Sequence, residues 1–126
     1  MTQKDKELLL EDLCARLPYG IKVYYDNGQL TGNSVIEDLY RVTNKFRVEV
    51  AIIEDEYGLC GVSLNNVKPY LFPISSMTEE QKEEWRGIRW SKLPWDELNW
   101  LNKGHWDYRH LIEKGLALDA TGLNIY

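Results

Sequence analysis

Residues 61–71, Gly61-Val62-Ser63-Leu64-Asn65-Asn66-Val67-Lys68-Pro69-Tyr70-Leu71, decide the fold. Leu59 to Ser63 reads as a short strand, Leu64-Asn65-Asn66 as a tight turn, and Val67 to Leu71 as a last strand that Pro73 ends. Upstream, Phe46-Arg47-Val48-Glu49-Val50-Ala51-Ile52-Ile53 alternates apolar and polar residues as far as Val50, the clearest strand signal in the chain. Glu54 to Gly58 turns out of it. Gln29 to Val42 predicts a long strand in which Gly32-Asn33 marks a bulge or bend, and Thr43-Asn44-Lys45 closes it. Ile21, Val23 and Tyr25 alternate with Lys22 and Tyr24, and Asp26-Asn27-Gly28 supplies the positive-φ residues of a hairpin turn.

Outside this β region both flanks are helical. In residues 4–17, Leu9, Leu10, Leu13, Cys14 and Leu17 recur at helical spacing, Lys6, Glu7, Glu11 and Asp12 face away, and Pro18 ends the run. A second helix starts at a capping box, either Ser76 with Glu79 or Thr78 with Gln81, and runs to about Trp90. Trp95 to Lys103, closed by Gly104, and Asp107 to Lys114, closed by Gly115, read as two further short helices. Residues 1–126 therefore form one α+β domain: an N-terminal helix (1–17), a β core (18–73) and a tryptophan-rich cluster of short helices (74–126).

The strand, one-turn connection and strand of residues 61–71 resemble the segment that joins the fourth and fifth strands of SH3-type barrels. A small five-stranded antiparallel SH3-like barrel is the expected β core, and a bent open sheet fits almost as well. The acidic and tryptophan motifs with which signalling SH3 domains bind proline helices are absent, so peptide recognition of that kind is not implied.

Fifteen basic against twenty acidic residues leave a net charge of −5, which repels duplex nucleic acid. No apolar run reaches the length of a membrane span. Cys14 and Cys60 sit in apolar contexts without a secretion signal, and two buried thiols in a reducing cytoplasm are the expected reading, with a disulfide as the alternative. His105 and His110, five residues apart with no second Cys/His cluster, do not make a zinc site. No nucleophile elbow or phosphate-cradling glycine loop is present, so a non-enzymatic protein without catalytic residues, metal or cofactor is expected.

Trp85, Trp90, Trp95, Trp100 and Trp106 are the most unusual feature. Steps of five residues turn a helix by about 500°, so successive rings lie ~140° apart and cannot share one face. Two readings stand: the rings fill the space between short helices and the β core, or one or two of them stack on a ligand or anchor a protein interface. Arg86, Arg89 and Lys92 follow beside Trp85 and Trp90, placing cations next to an aromatic face suited to a phosphate and a planar ring. The same arginines also fit a solvated helix face paired with Glu79, Glu83 and Glu84.

Leu13-Cys14-Ala15-Arg16-Leu17-Pro18-Tyr19-Gly20, Val67-Lys68-Pro69-Tyr70-Leu71, Ser75-Ser76-Met77-Thr78-Glu79-Glu80, Asp107-Tyr108-Arg109 and Leu111 to Leu118 together resemble small uncharacterised proteins of gut Bacteroides-type bacteria and their phages and prophages. The resemblance implies a phage or mobile-element accessory protein in a bacterial cytoplasm. Two functions fit that setting. One is binding of a host protein. The alternative is an anti-defence sponge for a nucleotide-type immune signal, with Trp85, Trp90 or Tyr70 stacking and Arg86, Arg89, Lys92 or Arg109 holding phosphate, in a pocket that a homo-oligomer would share.

Overall fold

The computed structural model describes residues 2–26, 28, 31–42, 48–55, 58–91 and 93–126. Helix α1 (Gln3–Arg16) opens on a reciprocal cap: Thr2 Oγ1 accepts from the Asp5 N–H and the Asp5 carboxylate accepts from the Thr2 N–H. It gives way to a single 3-10 turn, Leu17–Tyr19, with Pro18 at its second position, and Gly20 closes the turn at φ +69°. Leu9 and Leu13 are wholly buried, each stabilising the fold by about 1.5–3 kcal/mol. Leu10 and Leu17 are half-buried and Cys14 is exposed. Cys60 is half-buried, so neither thiol is fully enclosed. Asp12 does not face away; it is buried with Arg16.

Five antiparallel strands follow: β1 (Lys22–Asp26), β2 (Thr31–Val42), β3 (Val48–Asp55), β4 (Gly58–Ser63) and β5 (Val67–Leu71). A 3-10 turn at Leu64–Asn66 joins β4 to β5, where the tight turn is predicted. Strand β6 (Leu118–Asp119) pairs with β5 in parallel, and the sheet order is β4-β3-β2-β1-β5-β6. The sheet is thus mixed and six-stranded, and it does not close into a barrel. The outer edge of β5 is taken by β6, so β5 and β4 are held apart as members of one open sheet.

The sheet bends within β2. Its first half pairs with β1 (Lys22↔Val35 to Asp26↔Thr31) and its second half with β3 (Ile36↔Ile53 to Val42↔Val48). Between Ile36 and Asp38 the register slips by one residue, leaving Glu37 as the extra residue of a β-bulge. The bulge is therefore not at Gly32-Asn33, whose pairing with Tyr25 and Tyr24 is regular. Gly32 serves close packing instead: a Cβ there would lie 3.4 Å from the Tyr25 hydroxyl. The alternation predicted for β1 is seen, with Val23 and Tyr25 buried and Lys22 and Tyr24 half-exposed. The predicted turns through Asn27, residues 43–45 and residues 56–57 fall on residues outside those described.

Helix α2 (Glu79–Ser91) uses the second capping register: Thr78 Oγ1 accepts from the Gln81 N–H, and Gln81 Oε1 accepts from the Thr78 N–H. Helix α3 (Pro94–Lys103) begins with Pro94 at its first position. The third short helix expected over Asp107–Lys114 is not formed. Residues 108–117 are a series of turns, because His110 takes φ +59°, which a right-handed helix cannot contain, and Asp107 accepts from the Leu111 and Ile112 N–H groups with its side chain. No helix of the described residues is long and apolar enough to cross a membrane.

Candidate binding surface at the α2–α3 corner

The two helices α2 and α3 are held together by two reciprocal tryptophan–glutamate hydrogen bonds. Trp85 Nε1 donates to Glu97 Oε1 and Trp100 Nε1 donates to Glu84 Oε1, each at 3.0 Å. Tryptophan carries a large apolar ring with a single donor, so this pairing lets each ring cover the helix interface while its N–H is satisfied. Arg89 reinforces the pair, with its guanidinium 5.2 Å over the Trp85 ring and its Nε 3.4 Å from Glu97 Oε1.

Once Trp85 and Trp100 face the partner helix, the 140° drift turns Trp90 and Trp95 outward. Trp90 is 90% exposed and Trp95 60% exposed, and Leu93 and Leu98 stand exposed in the same corner. Trp106 alone of the five is buried, against Phe72 and Trp100. Trp85, Trp100 and Trp106 thus fill the space between the helices and the β core, as the first reading of the tryptophans has it, while Trp90 and Trp95 stand exposed. Leu98 was not legible as a surface residue, since an apolar residue in a short helix ordinarily signals the buried face.

Of the residues predicted to form a site, Trp85, Arg86, Arg89 and Trp90 come together on α2. Arg86, Arg89 and Trp90 line a shallow recess of about 350 Å³. Lys92 lies outside the described residues. Arg109 and Tyr70 are elsewhere. Arg109 Nη1 donates to Asp12 Oδ1 at 2.8 Å and to the Tyr108 hydroxyl at 2.7 Å, in an ion-pair cluster on α1. Tyr70 is buried in β5, its hydroxyl donating to Asn33 Oδ1 at 2.7 Å.

A wider cleft of about 620 Å³ is walled by Phe72, Trp100 and Trp106 and rimmed by Gln81 and Lys103. Phe72 also touches the Tyr126 ring, which belongs to a polar cluster that sequence reading missed. The His105 ring stacks on Tyr126 with centroids 3.7 Å apart, and the Tyr126 hydroxyl accepts from the Lys22 N–H and donates to the Tyr70 carbonyl. Burial, with Arg16 and Lys22 nearby, lowers the His105 pKa to about 4, while burial raises that of Tyr126. The cluster joins residues far apart in sequence and carries no motif. Among the described residues no three His, Cys, Asp or Glu side chains converge as metal ligands would.

No protein-family profile, curated protein or solved structure matches this chain.

Proposed function

We propose that this chain is a non-enzymatic binding module that docks on another protein through the α2–α3 corner. The observation that carries the reading is Trp90, 90% exposed, beside the exposed Leu93, Trp95 and Leu98. Tryptophan and arginine are the residues that most often dominate an interface, because a ring of 150–250 Å² leaves water on docking. Arg86 and Arg89 at the edge of this apolar ridge favour a partner whose apolar socket is rimmed by carboxylates. The resemblance of the sequence motifs to phage and prophage proteins supports a host protein as that partner, met in a bacterial cytoplasm. The strand order β4-β3-β2-β1-β5 and the one-turn link between β4 and β5 support kinship of the antiparallel strands with SH3-type barrels, opened at β5.

Affinity capture from host lysate tests the reading when the wild type is compared with Trp90→Ala/Trp95→Ala. The expected result is a captured protein whose binding weakens about 100-fold or more in the double variant, with unchanged circular dichroism and melting temperature. Capture indifferent to both rings would sink the proposal.

The recess of Arg86, Arg89 and Trp90 is what favours the second reading, a nucleotide sponge. Arg109 and Tyr70 lie apart from it, which leaves that reading two cations and one exposed ring among the described residues. A ligand at 100 times its dissociation constant adds about 2.7 kcal/mol of stability. A saturable thermal shift with cyclic or linear nucleotides, lost in Arg86→Ala/Arg89→Ala, would place the sponge first.

A further inference from the structure

We infer that two copies of this chain pair through the outer edge of β4, as antiparallel strands about a two-fold axis at Gly61. The open sheet has two edges, β4 and β6. Strand β6 is two residues long and carries Asp119, and short charged edges resist pairing. Strand β4 is six residues, Gly58-Leu59-Cys60-Gly61-Val62-Ser63, with no charge and no proline. Among the described residues nothing pairs with its outer side.

The geometry also shows which groups point outward. Ser34 Oγ on β2 donates to the Glu54 carbonyl at 3.1 Å, so the backbone polar groups of Glu54 face β2. Leu59 is the cross-strand partner of Glu54, and in an antiparallel pair its own N–H and C=O must then face away from β3. Two residues on, Gly61 does the same, and so does Ser63 at the strand end. On one face Val62 is buried and Cys60 half-buried; on the other Leu59 is 68% exposed.

A second copy fits this edge better than an unrelated strand because the edge is its own complement. Centred on Gly61, the two-fold sets Gly61 against Gly61 and Leu59 against Ser63, giving about six backbone hydrogen bonds. Each Leu59 then lies diagonal to the partner's Gly61, which has no side chain of its own to meet it. Antiparallel pairing also sends the Glu54 end of one copy to the opposite end of the other, so that two negatively charged chains do not bring those carboxylates together.

Sedimentation equilibrium from about 10 μM to about 1 mM tests the pairing across the range expected of a weak interface. The expected result is a mass rising from 14.8 kDa toward twice that value. Leu59→Lys and Gly61→Pro should each weaken association about tenfold or more by placing a charge or a missing donor on the edge. Trp90→Ala/Trp95→Ala should leave it unchanged, which separates this proposal from that for the α2–α3 corner. Leu59→Lys alters an exposed side chain, so it serves even where Gly61→Pro perturbs the strand. A monomer throughout the range, association that survives Leu59→Lys, or association lost with the two tryptophans would each overturn the inference.

Discussion

Arg16 and Trp106 stand ninety positions apart in the chain, yet the Arg16 guanidinium donates Nη2 to the Trp106 carbonyl at 2.6 Å while its Nε donates to Asp12 at 2.9 Å. Both side chains of the ion pair are wholly buried, and Arg109 closes on Asp12 from the other side. This cluster fastens α1 to the segment that follows α3.

Arg16→Met is therefore expected to destabilise the protein by about 3 kcal/mol, although it keeps the apolar stem. It leaves the Trp106 carbonyl without its charged donor and Asp12 with one cation in place of two. Urea unfolding at neutral pH measures the loss; a midpoint equal to the wild type would show that the cluster contributes nothing.

Gly104→Ala should be destabilising for a different reason. The φ of Gly104 is −84°, which any residue adopts, but an added Cβ would lie 2.5 Å from Trp106 Nε1. Trp106 is buried between Phe72 and Trp100, so its ring cannot yield cheaply. A cost of about 1–3 kcal/mol follows, read as a lower melting temperature; the Gly87→Ala change, with nothing within 4 Å, is the control that should stabilise or leave α2 unaltered.

His105 makes stability depend on pH. Its folded pKa of about 4 lies below the ordinary 6.5, so the unfolded chain binds the proton more readily. Stability then falls as pH drops from about 6.5 towards 4, by roughly 1–3 kcal/mol in all. His105→Asn, a residue that tolerates φ +59°, removes the titration. Melting temperatures between pH 6.5 and pH 5 should decline in the wild type more steeply than in the variant; parallel slopes would count against His105.

The tryptophans should separate by position. Trp90→Ser and Trp95→Ser remove exposed rings and are expected to change stability by less than about 0.5 kcal/mol, whereas Trp106→Ala should cost about 3–5 kcal/mol. Acrylamide quenching of the wild type should fall sharply in the Trp90→Ser variant, because that ring is 90% exposed. Quenching unchanged in that variant would contradict its placement.

What was legible before folding is local. The apolar spacing of α1, a capping box at Ser76 or Thr78, the alternation in β1 and the turn at Leu64–Asn66 each depend on residues within a few positions of one another. Clustering of Trp85, Arg86, Arg89 and Trp90 was legible for the same reason, being a property of one helix. Asp107 shows the limit. A helix start with an acidic residue reads the same whether that carboxylate caps a helix or, as here, ties down a set of turns.

Helical and extended stretches were readable at most positions, since steric preference and hydrophobic period act over one or two turns. The open sheet was not readable in this way, because β6 reaches β5 from almost fifty residues downstream in chain order. Tertiary structure likewise decided that Arg109 serves a buried ion pair and not the α2 surface, and that His105 stacks on Tyr126. Those outcomes rest on which distant groups exclude water from one another, and burial of that kind has no signature within a single segment.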